Sequence, residues 1–193
     1  MILEALITTM NPDGSPRLAP MGPRVDGAEF HRFLLRPFPT SQTYLNLLKH
    51  PEGVLHITDD AALIARAAIG AVHRFPPVRP AEQVRGCVLV DCCRYCEFRV
   101  VAVDDSEARV RLDCEVVKSG TVRAFWGFNR AKHAVLEAAI LATRLHLLPT
   151  EEVTAEFRKL RVIVDKTGGP DEHEGMALLE AYLSQTSRRG PPE

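Results

Sequence analysis

Two long stretches, CVLVDCCRYCEFRVVAVDD (87–105) and EARVRLDCEVVKSG (107–120), constrain what this chain can fold into more than any other feature. Both are rich in β-branched and aromatic residues, which suit the pleated, half-buried surface of a strand. Asp104-Asp105-Ser106 between them supplies turn-forming side chains. Strands of this length suit a barrel better than an open sheet.

The segments before this pair extend the β reading. LEALITTM (3–10) runs into NPDGSPRLAP (11–20), where Asp13-Gly14 is a strong hairpin signal. A further strand is expected from about Glu29 to Arg36, and a short buried one in GVLHITDD (53–60). Between them, TYLNLLKH (43–50) places Tyr44, Leu47 and Leu48 on one helical face. DDAALIARAAI (59–69) reads as a second helix capped by Asp59 or Asp60, and the prolines of FPPVRP (75–80) mark a loop. After Gly127 the period changes. Asn129 is a natural N-cap, and Ala131, Val135, Ala138, Ala139, Ala142 and Leu145 recur at helical spacing. Pro149-Thr150-Glu151-Glu152 ends that helix and starts the next, which runs to the C-cap pair Gly168-Gly169, and Pro170 opens a last helix. The expected class is therefore mainly β with α (α+β), with a β-barrel over residues 1–127 and a helical segment over 128–193.

Bulk properties exclude more than they assign. The formal net charge of the 193 residues is −1, so no overall basic character points to nucleic acid or an anionic membrane surface. No uninterrupted apolar run approaches the ~18 residues of a membrane span. MILEALITTM carries Glu4 and lacks a basic signal-type start. The five cysteines show no spacing typical of a secreted disulfide framework, and a reduced, cytoplasmic protein is expected.

Motifs that could carry chemistry are few. In RPFPTSQTY (36–44), Arg36 and two prolines precede hydroxyls at the start of a helix. A helix N-terminus offers unpaired N–H groups and a partial positive charge, to which hydroxyls and a guanidinium add donors for a phosphate. The plain alternative is that Thr40 or Ser41 simply caps the helix. In LAPMGP (18–23), an apolar side chain stands beside a glycine, a surface for a flat ring or merely a tight turn. Cys93 and Cys96 form a C-x-x-C, but residues three apart on a strand face opposite ways, so a structural role is expected and no metal site. The seven histidines form no ligand array, and His56, inside VLHIT, is expected in the core. There is no G-x-S-x-G, Walker A or G-x-G-x-x-G sequence. In FWGFNRAKHA (125–134), cations at a helix start oppose the macrodipole, which suggests either a second basic wall of an anion pocket or a salt bridge to an acidic neighbour.

The order of these pieces resembles the FMN-binding split-barrel superfamily, which includes the flavin-reductase-like and pyridoxamine-phosphate-oxidase-like proteins. The resemblance rests on LAPMG, on TSQTYLNLLKHPEGVLHIT, and on FNRAKHAVLEAAILATR with KTGGPDEHE, the last two resembling an uncharacterised, mostly archaeal branch with a helical C-terminus. It implies a homodimer of split β-barrels with FMN at the subunit interface. Arg36, Ser41 and Thr43 would then contact the FMN phosphate or ribityl chain, and Ala19, Pro20, Met21 and Gly22 would line the ring. Asn129 and Arg130 would add the second basic wall, while Asn46 would fix the loop. The sequence departs from the oxidase pattern at Gln42-Thr43, where a basic pair usually follows the serine, and from the reductases at Met21-Gly22. The implied function is a flavin-dependent oxidoreductase acting with a nicotinamide or another small redox substrate. The alternative is a flavin or pterin carrier without turnover. No residue is singled out as catalytic, because hydride transfer to or from a flavin needs no protein acid or base.

Overall fold

In the computed structural model, residues 1–25 and 30–189 are described, and the expected strand start at Glu29 lies outside them. The chain divides into two compact units, Met1–Thr58 with Phe75–Phe125, and Asp59–Arg74 with Trp126–Glu193. A single boundary at Gly127 is expected from the sequence; the segment 59–74 joins the helical unit instead.

The first unit is a seven-stranded antiparallel sheet curled into half a barrel, with the order β2-β1-β5-β8-β9-β4-β3. Its strands are β1 (Ala5–Met10), β2 (Pro16–Met21), β3 (Arg24–Val25), β4 (Arg32–Leu35), β5 (Glu52–Ile57), β8 (Arg94–Asp104) and β9 (Arg111–Thr121). The β1–β2 hairpin turns through Gly14 at φ 83°, a left-handed conformation that glycine adopts without a Cβ penalty. Asp13 closes that turn by accepting from the Ser15 N–H at 2.9 Å. Pro16 and Pro20 are tolerated because β2 is an edge strand, where missing donors break no second ladder.

The expected long strand 87–105 is broken. β7 (Cys87–Leu89) pairs with β6 (Val78–Pro80) as a separate two-stranded sheet, and Val90–Cys93 bend away before β8 begins. FPPVRP is thus only partly loop, since the backbone of Val78–Pro80 is paired. The turn at Asp104 is as expected, the Asp104 carboxylate accepting from the Ser106 N–H at 3.0 Å. One helix, α1 (Gln42–Lys49), belongs to this unit. Tyr44 and Leu47 are buried in the sheet core, but Leu48 is exposed, and the polar Asn46 takes the inward position assigned to it.

The second unit holds α2 (Ala61–Ala68), α3 (Arg130–Ala142), α4 (Thr150–Thr167) and α5 (Pro170–Arg189) around its own core of small and aliphatic side chains, Met176 and Leu179 among them. Asp60 caps α2 and accepts from the Leu63 N–H at 2.7 Å. Its carboxyl pKa is raised by burial, against the opposing effect of that hydrogen bond. Asn129 caps α3 as expected. Gly168 ends α4 with φ −82°, so it is not needed for a left-handed turn. A Cβ there would lie 2.7 Å from the Val164 carbonyl oxygen, and close approach explains the glycine instead.

Candidate functional site

The segment between β4 and α1 is built around its own hydrogen bonds. Ser41 is the N-cap of α1, and its hydroxyl accepts from the Tyr44 N–H at 3.3 Å. The Ser41 N–H donates to the Phe38 carbonyl at 3.0 Å, tightening the turn before the helix. Thr43 is buried at 3% exposure, whereas Thr40 is exposed. The helix is tied down by Asn46, whose amide donates to Thr9 Oγ1 at 3.0 Å and Asn11 Oδ1 at 2.9 Å, and accepts from Gln42 Nε2 at 2.8 Å. Asn46 therefore fixes α1 against β1 and Asn11, where the resemblance implied that it would fix the loop.

Arg36 follows the last residue of β4 and reaches the turn between β8 and β9. Its Nη2 pairs with Glu107 and donates to the Arg109 carbonyl at 3.4 Å. Its Nε is buried without a hydrogen-bond partner, a group whose desolvation is uncompensated. Arg109 in turn lies over the Phe38 ring, 4.4 Å from its centroid. Arg36, Ser41 and Thr43 thus share one short, pinned segment, with an unsatisfied guanidinium N–H among its donors. That leftover N–H at a helix approach is the feature that fits an anionic group.

Ala19, Pro20 and Met21 lie on edge strand β2, opposite Ile7, Leu6 and Ala5, and each is half-buried. Gly22 is exposed, and a Cβ added there would meet Ile2 Cγ2 at 3.0 Å. The glycine thus leaves room for the Ile2 side chain, which is not legible in LAPMGP itself.

Asn129 and Arg130 belong to the helical unit. The Asn129 side-chain Oδ1 accepts from the Ala131 N–H at 2.8 Å and the Lys132 N–H at 3.2 Å, and Nδ2 donates to the Thr167 carbonyl at 3.0 Å. Both ends of the side chain are engaged in holding the helix start. Lys132 makes the salt bridge that the sequence offered as one of two explanations, to Glu172 Oε1 at 2.8 Å. Burial opposes ionisation of Glu172, but Lys132 and the Gly169 N–H outweigh it and lower its pKa. Arg130 is exposed.

The cysteines are all buried and unbridged. Burial pushes the thiols of Cys92 and Cys96 up to about 11, the reverse of an activated nucleophile. Among the described residues no group of His, Cys, Asp and Glu could hold a metal. No described helix is long and apolar enough to cross a membrane.

One feature of the first unit was not singled out in the sequence. A groove of about 700 Å³ is lined by Arg24, Arg32, Leu34, Val101, Arg111 and Asp113, with His31, Phe33, Ala102 and Cys114 completing its wall. The available signal was alternation. In RFLL (32–35) and RLDCE (111–115), Phe33, Leu35, Leu112 and Cys114 are buried, which sends Arg32, Leu34, Arg111 and Asp113 to the other face.

Two family models match the chain, the N-terminal domain of the protein of unknown function DUF447 over residues 3–123 and the DUF447 C-terminal region over 129–181. An FMN-bound DUF447 protein from Methanosarcina mazei is similar over 94% of each chain, at 23% identity and a TM-score of 0.79. A nitrilotriacetate monooxygenase component B from Bacillus cereus is similar over 63% of this chain and 70% of its own, at 18% identity and a TM-score of 0.54. A flavoredoxin from Methanosarcina acetivorans is similar over 62% and 68%, at 12% identity and a TM-score of 0.54. No curated protein matches. At these identities the likeness establishes a fold, that of the flavin-reductase-like split barrels.

Proposed function

We propose, from the premise that this chain belongs to the DUF447 family, that it is an FMN-binding protein and a flavin-dependent oxidoreductase of unassigned substrate. The observation that carries this reading is the Arg36–Thr43 segment, where a guanidinium N–H is buried without a partner close in sequence to a helix start capped by Ser41. FMN, when bound, supplies reversible hydride and electron chemistry that no side chain offers. The chain's part is to hold and orient. Arg36, Ser41 and Thr43 would contact the phosphate or ribityl chain, and Ala19, Pro20, Met21 and Gly22 would lie along the ring. The phosphate reading needs neither Asn129 nor Arg130, whose helix start is stabilised within its own unit. A cytoplasmic homodimer with the cofactor at the subunit interface completes the proposal.

The protein purified without added cofactor should absorb between roughly 350 and 500 nm, as an oxidised flavin does, and release FMN on denaturation. Arg36→Ala should lose that absorbance. Ser41→Ala removes both a cap and a phosphate donor, so Ser41→Asp separates the two: aspartate caps well but repels a phosphate. Retained stability with lost FMN supports the cradle. A colourless protein that FMN does not turn yellow overturns the reading. Bleaching of bound flavin by a reduced nicotinamide at an enzyme-like rate then distinguishes an oxidoreductase from a flavin or pterin carrier without turnover.

A further inference from the structure

The groove on the outward face of β3, β4 and β9 has a chemistry the flavin reading does not use. Pairing places Arg24 opposite Leu34, Leu34 opposite Asp113, and Asp113 opposite Ala102, so one row of side chains crosses four strands on a single face. Arg32 and Arg111 lie two positions along from Leu34 and Asp113 on the same face. Among the described residues, three arginines thus line the recess, with Asp113 as its one carboxylate.

Among the described residues, the acids nearby neutralise this set only in part. Asp113 accepts from Arg111 at 3.1 and 3.3 Å, which engages Arg111 closely. Glu115 stands 3.8 Å from Arg32, at the limit of an ion pair, with both side chains well exposed. No ion pair to another described residue engages Arg24. Such exposed pairs contribute little, and like charges gathered in a concave wall raise the local concentration of anions. The volume of about 700 Å³ is that of a small-molecule site and far exceeds the space a lone phosphate needs. Leu34, Val101 and Ala102 add an apolar wall on which a ring could rest.

We propose that this groove binds the diphosphate of a nucleotide, with Arg24 and Arg32 as its anion ligands and Leu34 and Val101 against the base or sugar, at a site separate from the flavin cradle. Arg111 is held by Asp113 and serves mainly to set the field.

Adenosine diphosphate and inorganic pyrophosphate, titrated calorimetrically into the protein as purified, test this directly. Wild-type protein should bind the nucleotide saturably and more tightly than pyrophosphate. The Arg24→Ala/Arg32→Ala double variant should weaken the nucleotide by tenfold or more, since each lost charge-assisted hydrogen bond is a large fraction of that factor or beyond it. Arg17→Ala, an exposed arginine on β2, should change nothing. Flavin content, read separately by absorbance, should be the same in all three proteins. Absent binding, equal binding by the double variant, or pyrophosphate matching the nucleotide would overturn the proposal. So would loss of flavin in the double variant, because the groove would then be part of the flavin cradle. A colourless wild type that still binds nucleotide through Arg24 and Arg32 would remove the flavin reading and leave this one standing.

Discussion

His56 lies fully buried in β5, its Nε2 accepting the Leu89 N–H at 3.1 Å, while Nδ1 faces the Leu6 backbone without a well-formed hydrogen bond. Burial lowers its pKa from 6.5 to about 4, with the Leu6 backbone acting in the opposite direction. The folded protein therefore keeps the ring neutral after the unfolded chain has taken up a proton. Between pH 6.5 and about 4 the unfolded state binds more protons, so stability falls as pH falls through that window and levels off below it. The shift corresponds to about 3 kcal/mol. His56→Gln keeps an acceptor for Leu89 and cannot titrate, so its stability should be flatter over the same range, as denaturant melts at pH 7, 5 and 4 would read. Equal slopes in the two proteins would remove His56 as the source. The position of this histidine was legible, because VLHIT reads as a buried strand; its missing second partner was not, because that depends on the register with β1.

At the scale of elements, alternation made most strands readable and long-range pairing set the exceptions. The bend at Val90–Cys93 has no strong local turn signal, and it exists because β7 leaves the large sheet to pair with β6. A buried carboxylate organises the loop between those two strands. Glu97, fully buried in β8, accepts from the Glu82 N–H at 3.0 and 3.1 Å and from the Gln83 N–H at 2.5 Å. Read from sequence, Glu97 was one polar residue in a strand; only the fold shows the three contacts. Glu97→Gln retains one acceptor oxygen and turns an NH₂ group toward backbone donors, which should cost about 2 kcal/mol. Urea melts would measure the loss, and hydrogen exchange at residues 82 and 83 should rise. Gly53 is a second constraint of this kind. A Cβ there would lie 2.8 Å from the Phe98 ring and 3.0 Å from the Thr8 carbonyl, with the ring itself buried. Gly53→Ala should therefore destabilise the sheet by about 1–3 kcal/mol, and a variant as stable as wild type would mean that Phe98 can move aside.

For the whole molecule, the sequence change at Gly127 marks where the last three helices begin but not that the helical unit is discontinuous. α2 sits between two segments of the sheet unit in the chain, yet its Ala61 and Ala65 belong to the core formed with α3, α4 and α5. Its short length and alanine-rich surface gave no hint of its partner, because small residues signal close helix packing without saying which helix approaches. Gly175 on α5 records that approach: a Cβ there would lie 3.3 Å from Ala62 Cα and 3.2 Å from Val135 Cγ1. Truncation after Gly127 should therefore not yield a clean barrel. It removes α3, α4 and α5, leaves the apolar face of α2 without its core, and exposes Ala61, Ala65 and their neighbours to water. The shortened chain should bind a hydrophobic dye strongly, lose solubility relative to the full chain, and lose α2 helicity along with the deleted helices. Helices as short as the eight residues of α2 are marginal without tertiary packing. A truncated protein that stays monodisperse, with no dye binding and with amide protection kept over residues 61–68, would instead mean that α2 is stabilised by the sheet unit and that the division at Thr58 and Phe75 is not a physical one.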